Sequence, residues 1–162
     1  MQIRIGVAPD SWGVWFPSDS RQIPWQRFLD EVVQAGYDTI ELGPYGYLPT
    51  DLPTLSSELE ARGLTVSGTF AMADLADPAQ WSELERQIVG ASTTLQALGA
   101  GFLVLIDDTY TDLFTGESRG PVQLDGDAWK RLIDTTHRVA DIVRDQFGLK
   151  LVFHPHAETH VE

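Results

Sequence analysis

At 162 residues, with 43% hydrophobic and 10% aromatic side chains, the chain has the composition of one folded domain rather than of a disordered segment. It carries 24 Asp and Glu against 11 Lys and Arg, a formal net charge of −13 with no basic run, so phosphate backbones are repelled and nucleic acid is not an expected partner. With no cysteine there is neither disulfide nor thiolate chemistry, and any metal must be held by nitrogen and oxygen donors.

The chain opens Met1-Gln2-Ile3-Arg4-Ile5-Gly6 without a signal-peptide shape, and no apolar run approaches the roughly 20 residues of a membrane span. A cytoplasmic protein that does not engage membranes is the expectation. Residues 2–9 alternate and then become continuously apolar, which predicts a first strand. An aromatic loop follows, Asp10-Ser11-Trp12-Gly13-Val14-Trp15-Phe16-Pro17. Trp25, Phe28, Leu29, Val32 and Val33 then recur at helical spacing, between a Pro24 suited to a first turn and a Gly36 suited to a stop.

Thr39 to Pro44 is a second strand that breaks at Gly43-Pro44, Pro53 to Arg62 is a short helix stopped by Gly63, and Leu64 to Phe70 is a third strand. Asp77-Pro78 opens a helix through Trp81, Leu84, Ile88, Leu95 and Leu98, which ends in Gly99-Ala100-Gly101. Phe102 to Ile106 is a fourth strand, apolar on both faces, running into Asp107-Asp108. A stretch of turn composition follows, about twenty residues long; inside a compact domain a loop of that length is usually functional, often a lid. Asp127 is expected to cap the last helix, with Trp129, Leu132, Ile133, Val139, Ala140, Val143 and Phe147 and the stop Gly148, and Lys150 to Phe153 is a fifth strand.

Regular alternation of strand and helix requires a parallel sheet covered by helices, here a single α/β domain over residues 1–162. Two architectures satisfy it. One is a five-stranded doubly wound sheet, and the other is the N-terminal part of a (β/α)8 TIM barrel, about five strands and four helices. In either, ligands meet the carboxyl ends of the strands. Polar residues gather at those ends: Asp10 and Trp12, then Glu41, then Thr69, then Asp107 and Asp108, then His154, His156 and Glu162.

The last group is the densest, since His154, His156 and His160 are three of the chain's four histidines and are interleaved with Glu158 and Glu162. In an extended strand His154 and His156 project from one face, with Pro155 between them where pairing stops. An imidazole can bind a divalent metal or carry a proton near neutral pH, and a carboxylate beside it can orient it. Trp12, Trp15 and Phe16 suit either stacking on the apolar face of a sugar ring or packing over the sheet. His137 lies in mid-helix and is read as surface. No phosphate-cradling loop follows the first strand, because Ala8-Pro9-Asp10-Ser11-Trp12-Gly13 has neither P-loop nor dinucleotide spacing.

Three pieces together, Ile5 to Gly13, Ala35-Gly36-Tyr37-Asp38-Thr39-Ile40-Glu41-Leu42-Gly43-Pro44 and Phe153-His154-Pro155-His156 on to Glu162, resemble the sugar phosphate isomerase/epimerase group of xylose-isomerase-like barrels, nearest its inosose dehydratase branch. The resemblance runs from end to end in order and spacing. It implies a (β/α)8 barrel acting on a small sugar or cyclitol with a divalent metal such as Mn, Co, Zn or Mg. The family's strand-five metal carboxylate has His154 at the nearest position here, so Glu162 and His156 are the expected metal ligands. Glu41 looks like the family's strand-two glutamate, and with His154 and His156 it makes the expected catalytic set; Trp12, Thr69 and Asp107 are the expected substrate contacts. Such barrels run to roughly 250 residues, so the chain is expected to be part of a longer protein, inactive by itself, and to self-associate as a homo-oligomer through open barrel edges.

The implied chemistry is proton abstraction beside a carbonyl, from which isomerisation, epimerisation and dehydration all proceed. A non-enzymatic α/β binding or interaction domain is the competing class and predicts a stable monomer without metal affinity. The endonuclease relatives on the same barrel would need a basic groove, against which the net charge of −13 argues.

Overall fold

Four extended segments lie side by side in one parallel sheet, in the order in which the chain makes them: β1 (Thr39–Pro44), β2 (Thr65–Ala73), β3 (Phe102–Asp107) and β4 (Lys150–Phe153). They alternate with four helices, α1 (Trp25–Gln34), α2 (Leu52–Glu60), α3 (Trp81–Ala97) and α4 (Gly126–Phe147). The structure is a computed structural model and describes residues 4–162.

Consecutive strand order separates the two architectures. A doubly wound sheet reverses direction at a switch point and carries helices on both faces. Here every strand neighbours the next in sequence, and one face carries the helices. Ile40 and Leu42 of β1 pack with Phe28, Leu29 and Val32 of α1 and with Leu55 and Leu59 of α2. Ala71, Leu103 and Leu105 pack with Leu84, Ile88 and Leu95 of α3 and with Leu132, Val139 and Val143 of α4. The other face carries Phe70, Val104 and Val152 in register, with Met72 beside Ile106. That face is partly open, and Phe102 and Val152 are 46% and 42% exposed on it. The sheet is an arc of a barrel, and the doubly wound alternative is excluded.

The first predicted strand is reduced. Gln2 and Ile3 fall outside the described residues, and from Arg4 onward the segment joins the sheet at one parallel bridge, Val7 to Ile40. Val7 N donates to Thr39 O at 3.2 Å and Glu41 N to Val7 O at 3.0 Å. Pro9 then has no N–H to extend the ladder, and the chain turns into the short 3-10 segment Pro9–Trp12.

Helix boundaries follow their caps. Asp51 accepts from Thr54 N at 3.0 Å, and Asp77 caps the 3-10 turn Pro78–Gln80 that feeds α3. The expected cap Asp127 is corrected to Asp125, whose carboxylate accepts from Ala128 N at 2.8 Å; Asp127 sits inside the first turn, where its charge favours the positive end of the helix dipole. At the far end of α3, within the expected Gly99-Ala100-Gly101 stop, the left-handed residue is Gly99, at φ +69°. No described helix is long and apolar enough to cross a membrane.

Candidate active site at the carboxyl ends of the strands

A cleft of about 410 Å³ opens on the inner face of the arc, floored by Phe70, Met72, Val104 and Ile106 and rimmed by Asp10, Glu41, His154 and His156. Trp15 from the first loop and Thr109 and Leu113 from the loop after β3 complete its wall.

Glu41 reaches the cleft by simple alternation, since its neighbours Ile40 and Leu42 both face the helices. It pairs with Gly68, and the register shifts both before it, after Ile40, and beyond it, before Pro44. Asp10 is brought opposite by Gly43, which holds φ +74° and whose Cβ, were there one, would stand 2.7 Å from Pro9 Cγ. Only a glycine lets the Pro9–Trp12 turn close down on β1.

The electrostatics of the pair follow from this approach. Burial, and secondarily the charge of Asp10, push the Glu41 carboxyl up to about 6. Asp10 is also raised by burial, opposed by a hydrogen bond from its own backbone and by the nearby His154 and His156. The two carboxyls are therefore placed unequally, Glu41 being the one that holds its proton nearer to neutrality.

His154 and His156 share the rim, their ring centroids 5.7 Å apart, and Trp15 meets His156 edge-on at 6.2 Å. His154 is set by its backbone N–H donating to Leu105 O at 2.9 Å, which continues the β3 to β4 ladder one step past the strand. His156 Nδ1 lies 2.9 Å from Ala157 O. Among the described residues neither ring nitrogen of His154, nor Nε2 of His156, has a hydrogen-bond partner.

The remaining expected site residues lie elsewhere. The Trp12 indole donates to Glu31 Oε2 at 2.7 Å and its ring packs edge-on against Phe28 at 5.1 Å, so it secures the first loop to α1; Trp15 takes the place in the cleft wall. Thr69 points to the helix side and donates to Gly43 O at 2.6 Å, bracing the left-handed turn. Asp107, fully buried, also faces the helices, where one oxygen accepts from Leu75 N at 3.1 Å and the other lies 3.0 Å from His160 Nδ1. Glu162 Oε2 accepts from Glu158 N at 2.6 Å and is not in the cleft wall. Glu162 thus lies outside the lining of the cleft that holds His156, and among the described residues no three His, Asp or Glu side chains are grouped closely enough to hold a metal ion by themselves. Asp10 was visible at a strand end but carried no assigned role; its importance depends on the Pro9–Gly43 approach, which no periodicity reveals.

The loop after β3 is folded. Thr111 and Ser118 form an antiparallel bridge, Arg119 is paired with Asp112 at 2.8 Å, and at the tip the Phe114 ring lies under the Arg21 guanidinium at 3.6 Å and beside Phe16 at 5.8 Å. A larger cavity of about 670 Å³ lies on its other flank, lined by Asp74, Asp108, Arg131 and His160 among others. Its cationic groups are already engaged, Arg131 on Ala76 O at 2.9 Å and Arg119 on Asp112. The inner cleft is the one with convergent, unengaged groups.

The family model described as "Xylose isomerase-like TIM barrel" matches residues 29–162. The inosose dehydratase of Geobacillus kaustophilus (strain HTA426) is 27% identical over 164 residues, covering 98% of this chain and 52% of that protein. That of Halalkalibacterium halodurans is 28% identical over 165 residues, covering 97% and 51%. The chain thus spans about half the length of the curated relatives it matches. Among solved structures, a xylose isomerase-like TIM barrel protein from Mycobacterium smegmatis in complex with magnesium superposes with a TM-score of 0.69 at 14% identity, over 98% of this chain and 56% of that one. The IolI protein with a bound zinc atom gives 0.65 at 16% identity, over 98% and 54%.

Proposed function

Because the chain belongs to the xylose isomerase-like TIM barrel family, we propose that its inner cleft binds a ketose or keto-cyclitol and that Glu41 moves a proton on the carbon beside the substrate carbonyl. Isomerisation, epimerisation and dehydration diverge only after that step. The observation that carries the reading is the burial of Glu41 beside Asp10, which together, burial first, raise its carboxyl to about 6 within a cleft that also presents two imidazoles.

Asp10 and Glu41 accept hydrogen bonds from substrate hydroxyls, His154 and His156 donate to or take protons from the carbonyl end, and Trp15 covers the apolar face of the ring. Phe70, Met72, Val104 and Ile106 exclude water beneath it. The metal donors we assign to this chain are His154, whose ring nitrogens have no other partner, and His156 through Nε2, its Nδ1 lying 2.9 Å from Ala157 O; Glu162, once released from Glu158 N, and donors beyond these residues would complete the set. A bound divalent ion would supply Lewis-acid polarisation of the substrate oxygen. With that donor set incomplete, the chain alone binds but does not turn over. It is read as a cytoplasmic protein that self-associates through the open edge at β4 and the adjoining inner face, where Val152 and Phe102 are exposed.

The test is exchange of substrate C–H for solvent deuterium, followed by NMR, with an inosose and a ketohexose, on a protein that includes the remaining barrel. Exchange lost in Glu41→Gln supports the assignment; exchange unchanged in that variant refutes it.

A further inference from the structure

The loop from Asp108 to Asp125 is held at two places of different character. Its root is tied to the segment after β4. Tyr110 N donates to Glu158 O at 3.0 Å, Arg119 N closes back on Tyr110 O at 2.8 Å, and the Thr111 hydroxyl bonds the Glu158 carboxylate. His160 completes the root by bridging Asp107 and the loop, Nδ1 to Asp107 Oδ2 at 3.0 Å and Nε2 to Pro121 O at 3.1 Å. The His160 side chain is 8% exposed and that of Asp107 0%. Asp107 in turn accepts from Leu75 N, so one buried carboxylate joins the loops after β2, β3 and β4. Glu158, the only described non-glycine residue with positive φ, at 61°, holds a conformation that side chains disfavour, as expected where surrounding bonds over-determine it.

The tip is held differently. Phe114 is 51% exposed, and its contacts are the Arg21 guanidinium, whose side chain is 60% exposed, and the Phe16 ring. An exposed cation–ring contact is far weaker than a buried, charge-assisted hydrogen-bond junction. The tip also carries Leu113 into the wall of the inner cleft.

We infer that His160 is a positioning residue that fixes the root of this loop, and that the loop is a gate over the inner cleft which opens at its tip by parting Phe114 from Arg21. The gate serves the cleft to which the polyol site is assigned above, and its significance rests on that reading. Opening removes Leu113 from above the cleft and leaves Thr109, nearer the root, in place. The segment bearing His154 and His156 stays fixed as well, because Asp107 and His160 hold its far end.

Amide hydrogen exchange and side-chain NMR shifts on the purified chain test this without substrate, so the outcome is independent of the polyol reading. In Arg21→Ala the Phe114 ring and Leu113 methyl resonances shift toward solvent-exposed values while the amides of Tyr110 and Arg119 exchange unchanged; the amides of Phe114 and Thr115 bond Asp112 Oδ1 within the tip and keep their protection. In His160→Ala the amides of Tyr110 and Arg119 accelerate by about tenfold or more, with strand β2 unchanged. His160→Phe retains a ring beside Tyr110, whose centroid lies 5.7 Å from that of His160, removes both side-chain bonds and gives the same root acceleration should the alanine variant unfold. Root amides unaffected in His160→Phe, or root and tip released together in Arg21→Ala, would overturn the inference.

Discussion

The ring of Pro9 occupies the space that a side chain on Gly43 would need, with Pro9 Cγ 2.7 Å from where that Cβ would stand. This approach fixes the first loop on β1 and sets Asp10 against Glu41. Gly43→Ala combines a left-handed backbone with a clash against a rigid ring, and the expected loss is about 2–4 kcal/mol by urea denaturation. Gly36→Ala, also at positive φ but with open space around its Cβ, is expected to cost about 1 kcal/mol and serves as the control.

Glu41 gives a pH signature. Its carboxyl is raised from 4.5 to about 6 in the fold, so the folded state favours the neutral form. That contribution is fully present below the unfolded value and is lost as pH rises through about 6. Glu41→Gln should match the parent below pH ~4 and become more stable by about 1–2 kcal/mol above pH ~7, measured as the difference between two denaturation series.

Asp10→Asn removes the lesser of the two causes of that shift. Glu41 should then titrate below its present value yet remain above the ordinary carboxylate range, since burial, the larger cause, is untouched. A carbon-detected titration of the Glu41 carboxyl reads this directly.

Asp107→Ala strips a buried carboxylate from Leu75 N and from the His160 ring at once. Loss of about 3 kcal/mol is expected, because Leu75 N, the His160 ring and the His160 backbone N–H, which also donates to Asp107 Oδ2 at 3.3 Å, all lose their partner.

Ser92 offers the opposite case. Its hydroxyl is fully buried in α3 and has no hydrogen-bond partner among the described residues. Ser92→Ala is expected to be neutral or stabilising by up to about 1 kcal/mol in thermal or urea unfolding.

The helices and the inner strands were legible because their signals are local. Phe28, Leu29 and Val32 recur at helical spacing, and Phe102 to Ile106 is a continuous apolar run. The first strand was overread, since the alternation of residues 2–9 carries no information about where Pro9 ends the ladder. Within the site, Glu41, His154 and His156 do line one cleft, as their places at strand ends suggested. Trp12, Thr69, Asp107 and Glu162 satisfy the same positional rule but turn the other way or bond within their own loops. Parity along a strand decides which face a residue takes: Thr69 is in phase with the helix-facing Ala71 and Asp107 with Leu103 and Leu105, whereas Glu41 falls between the helix-facing Ile40 and Leu42. The pairing of Asp10 with Glu41 depends on a contact between residues 34 positions apart, Pro9 and Gly43, which no local pattern marks.

The most direct measurement of the central claim is chemical-shift mapping of the isotope-labelled chain with an inosose. Perturbations confined to the Trp15 indole, the His154 and His156 rings and the Asp10 and Glu41 carboxyls are predicted. Shifts instead around Asp108, Arg119 and Arg131 in the outer cavity, or none at any concentration up to tens of millimolar, would contradict it.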